Sequence, residues 1–232
     1  MAGVGGLVPA SLVSSLGAAL DVRRAVETGT FGGDGTRVLA AAFPTVLTIE
    51  LSPELHERAK AKLADLDGVA VLCGNSTELL SKVVDAQVPT LYYLDGHWSG
   101  EGTAGAEQQC PVMDELELIA AGHPDDCVLI DDARLFCSAP PPPYDPRQWP
   151  TLVQVFDALR AARPGCHVTV LDDQVIATPR AAKPVVDRYG QELAARQEAE
   201  AIARQRPPLI YRALDRVRAR LPGGLAGTSS PQ

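Results

Sequence analysis

Three aspartates and a histidine occupy positions in the chain where side chains can do chemistry. Asp95 closes an apolar run (91–95, LYYLD), Asp131 closes a second (127–131, CVLID) with Asp132 directly after it, and His97 follows Asp95 in the segment DGHWSG. If the two runs are neighbouring strands, three carboxylates converge beyond one edge of a sheet, where unpaired like charges repel and some must take up protons. A hard divalent cation relieves that repulsion, because Mg²⁺ takes oxygen ligands, commonly one or two carboxylates with waters and substrate oxygens. Asp95, Asp131 and Asp132 are therefore expected to hold Mg²⁺ or a similar divalent cation; the competing reading is that Asp131 and Asp132 cap a turn or pair with Arg134. His97 titrates near neutral pH and suits the role of base toward a hydroxyl proton, with metal ligation or a purely structural hydrogen bond as the other uses of such a residue. Arg134 and Tyr144 are candidate contacts for an anionic or sugar-like substrate, or plain loop residues, and Trp98 either walls the substrate pocket or packs.

A second constellation lies earlier. Glu27-Thr28-Gly29-Thr30-Phe31-Gly32-Gly33-Asp34-Gly35 follows a short apolar run, and glycines in such a turn let the backbone approach a ligand closely. Glu50 ends the next run, 23 residues after Glu27, the spacing at which an acid accepts both hydroxyls of a ribose. The turn holds two carboxylates, no Lys or Arg and no GKS or GKT ending, so a phosphate-bearing nucleotide is repelled and a P-loop is excluded. A nucleoside cofactor that is cationic and phosphate-free, such as S-adenosylmethionine, suits it; a nicotinamide-dependent oxidoreductase stays open at this point.

These residues need a scaffold. Runs at 25–28, 46–50, 69–73, 91–95 and 127–131 read as strands of a parallel sheet covered on both faces, with helices between them. The Ser52-Pro53-Glu54 signal opens a helix running to about residue 66, Asn75 or Ser76 caps another through 84, and 104–121 and 151–162 read as two more. HVTVL (167–171) and QVIAT (174–178), separated by Asp172-Asp173, read as an antiparallel hairpin. The expected fold is α/β: a Rossmann-like, seven-stranded, mostly parallel sheet with helices on both faces and a terminal antiparallel hairpin. Residues 23–180 form that domain. Residues 1–22 read as a lid or docking segment, 181–222 as a helical extension of two helices and 223–232 as a disordered tail. The six prolines within 138–150 make a stiff irregular loop.

The order ETGTFGG, LTIE, GNS, YLD and LIDD resembles the class I S-adenosylmethionine-dependent methyltransferases. The resemblance covers about residues 23–180. It implies that Glu27, Gly29 and Gly32 line the methionine part of the cofactor, that Glu50 holds the ribose, that Asn75 and Ser76 lie near the adenine, and that Thr28, Thr30 and Asp95 complete the cofactor site. The aspartates at 95, 131 and 132 are further similar to the metal-dependent O-methyltransferases of the catechol and macrocin/novobiocin types, which implies natural-product chemistry on a small molecule. His97 departs from the latter, where an acidic residue two places after the first metal aspartate is the base. A metal-independent N-methyltransferase keeps the same cofactor residues.

Composition narrows the partners. A formal net charge of −8 gives no general attraction to nucleic acid or anionic lipid, and no apolar run approaches the ~20 residues of a membrane helix. The first 20 residues carry no Lys or Arg, unlike a secretory signal, and five cysteines without CxxC spacing demand no disulfide. A cytoplasmic protein with a small-molecule substrate is expected, and the helices after residue 180 permit a homodimer.

Overall fold

A computed structural model describes residues 8–100 and 102–205, except the side chain of Gln205. The expectations for residues 1–7, for a helix over 206–222 and for a tail at 223–232 lie outside the described residues. The chain divides into two units, residues 1–190 and 191–232.

The first unit is built on a seven-stranded sheet: β1 (Arg24–Thr28), β2 (Thr45–Glu50), β3 (Val69–Cys73), β4 (Thr90–Leu94), β5 (Cys127–Ile130), β6 (His167–Leu171) and β7 (Gln174–Thr178). Their order is β3-β2-β1-β4-β5-β7-β6. The strands from β1 to β5 pair in parallel, and β7 runs antiparallel between β5 and β6. The expected hairpin is therefore present, with its antiparallel strand inserted inside the sheet. Asp172 and Asp173 both take positive φ (53° and 61°), the conformation a two-residue hairpin turn requires.

Residue type explains which strands sit at the centre. Every residue of β4 (TLYYL) and of β5 (CVLI) is buried, as strands covered on both faces must be. The main core packs Val26, Tyr92, Leu94, Val128 and Ile130 of the sheet against Leu116 and Ile119 of α5 (Val112–Ile119) and Val155 and Leu159 of α7 (Leu152–Ala162). The remaining helices are α1 (Ala10–Leu20), α2 (Asp34–Ala42), α3 (Pro53–Lys62), α4 (Ser76–Val83), α6 (Arg134–Cys137) and α8 (Lys183–Gln205). The cap signals act as read. Ser52 Oγ accepts from Leu55 N at 3.3 Å, Asn75 Oδ1 accepts from Thr77 N at 2.9 Å, and Thr151 and Gln154 form a reciprocal capping box.

Three boundaries differ from the expectation. The helix placed at 104–121 begins only at Val112. Pro111 disfavours helical geometry at Cys110 before it, and Gly100, Gly102 and Gly105 adopt positive φ, so this stretch is a loop over the sheet edge. The third helix stops at Lys62 rather than near 66. After Pro179 a short 3₁₀ turn (Arg180–Ala182) precedes helix α8.

The sheet is buttressed by a buried ion pair. Arg163 Nη2 donates to Asp126 Oδ2 at 2.7 Å and to Ile119 O at 2.6 Å, while Asp126 Oδ1 accepts from Thr90 N at 2.8 Å, tying the C-terminal end of α7 to the start of β4. Both side chains are almost fully buried, so removing one partner leaves an uncompensated charge. Arg163→Ala is expected to lower unfolding free energy by about 3–5 kcal/mol in urea titration. Adding Asp126→Asn should recover part of that loss, and a single substitution costing under ~1 kcal/mol would show that the pair is solvated.

Candidate active site

In an open α/β sheet the ligand crevice lies beyond the carboxyl ends of the strands where their order reverses, here between β1 and β4. The backbone continues the parallel ladder past the strand ends and fixes what emerges there. Gly29 N donates to Ile49 O (2.9 Å), Gly74 N to Glu50 O (2.9 Å), Asp95 N to Thr28 O (3.0 Å) and Asp131 N to Leu94 O (3.0 Å). A cavity of about 980 Å³ opens at this edge, at the upper end of the ~300–1,000 Å³ usual for small-molecule sites. Glu27, Gly29, Thr30, Gly32, Glu50, Asn75, Ser76, Asp95, His97, Asp131 and Asp132 all line it. Of the expected cofactor residues Thr28 does not, and Trp98, offered as a pocket wall, packs against Tyr144 instead. The Thr28 side chain lies on the opposite side of β1 and packs beneath the loop, its Oγ1 3.1 Å from where a Cβ on Gly96 would stand.

One half of the cavity belongs to the glycine turn. Glu27 is buried, and its Oε2 accepts from the hydroxyls of Thr36 (2.5 Å) and Thr48 (2.6 Å). Burial outweighs those hydrogen bonds and lifts its carboxyl to about 7. Glu50 is gripped by backbone: Oε2 accepts from Phe31 N (2.8 Å) and Oε1 from Ser52 N (2.9 Å), so the carboxylate joins the turn to the cap of α3. Gly29 has φ 85°, and a Cβ there would lie 2.2 Å from Asp95 O. The glycine is needed because the β1 and β4 exits cross at that point. A cation does reach the turn, contrary to the reading of the turn alone: Lys62 Nζ, from α3, donates to Gly32 O (2.6 Å) and Asp34 Oδ1 (2.7 Å), and Asp34 cancels its charge.

The other half holds the aspartates. His97 is buried between two of them, with Nε2 2.9 Å from Asp132 Oδ2 and Nδ1 3.5 Å from Asp95 Oδ1, and Trp149 meets the imidazole edge-on at 5.5 Å. Burial disfavours the charged ring, yet the hydrogen bond to Asp132 and the charges of Asp95, Asp132 and Asp131 outweigh it, so the imidazole is held above its ordinary value. Arg134 Nη1 bonds Asp132 Oδ1 (2.6 Å) and also Asp173 Oδ2 in the β6–β7 turn, which further anchors this loop through Ala133 N to Asp173 O (2.7 Å). Asp132, opposed by burial but paired with His97 and Arg134, sits below the usual carboxylate range. Burial and the charge of Asp132 lift Asp131 to about 6. Burial, moderated by His97 and reinforced by Asp131 and Asp132, raises Asp95.

This arrangement bears on two expectations. Asp95, Asp131 and Asp132 share the cavity; both oxygens of Asp132 are engaged by His97 and Arg134, and among the described residues no three His, Cys, Asp or Glu side chains are grouped to hold a metal ion. Arg134 lines the cavity with its Nη1 engaged by two carboxylates, the pairing with Asp132 that the sequence left open.

Reasoning from sequence also missed contributors. Gly35 leaves room for Glu27, whose Oε1 would lie 2.6 Å from a Cβ there, and Arg58 of α3 lines the cavity. Glu115 is buried beneath Gly96, and its carboxyl is raised by burial. Its signal was present: Val112, Glu115, Leu116 and Ile119 form the buried face of α5, so an acid sits where apolar residues belong.

No protein-family profile and no curated protein sequence matches the chain. Solved structures do. A candidate O-methyltransferase from Klebsiella pneumoniae superposes with TM-score 0.55 at 20% identity over 73% of this chain and 79% of that one. The O-methyltransferase TomG of Streptomyces achromogenes, involved in tomaymycin synthesis and solved with SAM, gives 0.55 at 19% identity over 73% and 78%. The fold is the Rossmann-like methyltransferase fold. An O-methyltransferase from Bacillus cereus in complex with SAH shares that methyltransferase fold, with TM-score 0.54 and 20% identity over 74% and 80%. Among the described residues no helix is long and apolar enough to cross a membrane.

The crossing at Gly29 generates a prediction. Gly29→Ala adds a Cβ that overlaps the Asp95 carbonyl and strains a positive φ, so the exits of β1 and β4 must separate. Thermal unfolding should show a loss of at least about 2 kcal/mol, whereas a wild-type melting temperature would mean the two exits do not touch.

Proposed function

We propose that the chain is an S-adenosylmethionine-dependent methyltransferase that moves the sulfonium methyl group to a hydroxyl oxygen of a small molecule, without a divalent metal. The observation that carries this reading is that Glu27 and Glu50 face one cavity at the switch point of this fold. S-adenosylmethionine carries a sulfonium and an ammonium and no phosphate, and carboxylates favour such a ligand. Glu50, held in place by two amides, offers its outer lone pairs to ribose hydroxyls. Gly29, Thr30 and Gly32 would flank the methionine part, Asn75 and Ser76 the adenine, and Asp95 the inner end. A dinucleotide would lay its pyrophosphate on the turn where Glu27 and Asp34 stand, which disfavours the nicotinamide reading. The SAM and SAH complexes of TomG and of the Bacillus cereus enzyme support the choice of cofactor.

In-line methyl transfer asks the protein mainly to position two reactants and exclude water. Asp132 orients His97, and the charged ring must release its proton before it can take the acceptor's. With His97 neutral as the base, the positive charge at this end is that of Arg134. A small-molecule acceptor of the kind natural-product pathways use, and a cytoplasmic setting, belong to the same reading.

Calorimetry tests the cofactor assignment. S-adenosylmethionine should bind equally with and without EDTA, Glu50→Ala should weaken it at least tenfold, and NAD should give no heat. Binding of NAD in its place would overturn the assignment. With an acceptor found by transfer of labelled methyl to hydroxylated small molecules, His97→Gln should lower kcat about 100-fold while leaving cofactor affinity unchanged. A rate abolished by EDTA and restored by Mg²⁺ would contradict the metal-free reading.

A further inference from the structure

The proposed methyl transfer gives no task to Asp131, a buried acid at the cavity. Asp131 is 2% exposed and lines the cavity; Tyr93 hydrogen-bonds its carboxyl, while its Oδ1 has no hydrogen-bond partner among the described residues. A buried acceptor left unsatisfied costs about 1–3 kcal/mol, more when charged, so such an atom points to a ligand that donates to it. The neighbouring cations are committed elsewhere. Arg134 bonds Asp132 and Asp173, and His97 lies between Asp132 and Asp95. Tyr144 lines the same cavity, its ring edge-on to Trp98 (5.8 Å) and to Trp149 (5.3 Å), and Trp149 in turn meets the His97 imidazole, so a braced aromatic wall belongs to this site. Carboxylates with an aromatic face are the surroundings that hold an organic ammonium, by charge and by cation–π attraction. An anionic group would meet only like charge at Asp131 and Asp95.

We propose, building on the methyltransferase reading, that the acceptor carries a protonated amine that donates to Asp131 Oδ1, with Asp95 as the second carboxylate and Tyr144 as the aromatic wall. An ammonium needs no displacement of Arg134 or His97 from Asp132, whereas a dication would compete with both for that carboxylate. It also supplies the single donor that Oδ1 lacks.

The test uses the full-length protein saturated with S-adenosylhomocysteine and three phenols of similar length, titrated calorimetrically: 4-(2-aminoethyl)phenol, 4-ethylphenol and 4-hydroxyphenylacetate. The ammonium probe should bind at least tenfold more tightly than the neutral one, and the carboxylate probe more weakly than either. Asp131→Asn should abolish that preference while retaining affinity for S-adenosylhomocysteine. The ranking on the wild-type protein needs no variant and stands even if Asp131→Asn does not fold. No preference for the ammonium, including no binding of any probe, would overturn the proposal, as would a folded Asp131→Asn protein that keeps it. Manganese binding that is stoichiometric, seen by loss of the free-ion EPR signal, and that excludes the ammonium probe would overturn it too by giving Oδ1 to a metal. Failure of S-adenosylhomocysteine to bind at all would sink the methyltransferase reading itself, which separates the two.

Discussion

Keeping carboxylates at the carboxyl edge of a buried parallel sheet is the constraint on which the rest of this protein depends. Glu27, Glu50, Asp95 and Asp131 stand at or just beyond the ends of β1, β2, β4 and β5, all around one cavity. Each needs a partner or a proton, because desolvation and mutual repulsion both act against its charge. The chain answers differently at each place: two threonine hydroxyls for Glu27, two backbone amides for Glu50, and an imidazole facing Asp95. At Asp131, Oδ1 is left open among the described residues.

These different solutions divide the cavity by function. Backbone donors at Glu50 leave a fixed acceptor surface, suited to neutral hydroxyls. Hydroxyl donors at Glu27 do not cancel its burial, so its charge is most favourable when a cation arrives. At the far end, Asp132 is held by His97 and Arg134 in a network of internal ion pairs. A buried charge is tolerated there because its partners are close and well oriented, and removing any one of them would strand the others.

Much of the scaffold was legible in the residues. Long apolar runs such as LYYLD and CVLID could only be central strands, and two residues between HVTVL and QVIAT left antiparallel pairing as the one arrangement. The cavity-lining acids were legible for the same reason: a strand's last residue must emerge at the sheet edge. What was not legible depends on partners far along the chain. Asp132 meets Arg134 locally, but Asp173, 39 residues on, holds that arginine in place from a hairpin tip whose docking no local pattern announces. Lys62 reaches the glycine turn from 30 residues away. Thr28 was misplaced because the motif carried it along with its neighbours, although strand alternation turns it away from the side that Glu27 faces. The helix expected from residue 104 failed at Pro111, where backbone chemistry overrode a polar pattern.

The central claim is that carboxylates at this edge select a cationic cofactor, and Glu27 gives the most direct measure of it. Its carboxyl is raised from 4.5 to about 7, so it is ionised above that value and gains a proton below it. A bound cation favours the ionised form, so affinity must be lost as pH falls through 7. Calorimetric titration of S-adenosylmethionine at pH 6 and pH 7 should show affinity about fivefold tighter at the higher pH, with the difference abolished in Glu27→Gln. Affinity independent of pH in the wild-type protein, or unchanged pH dependence in the variant, would contradict the account.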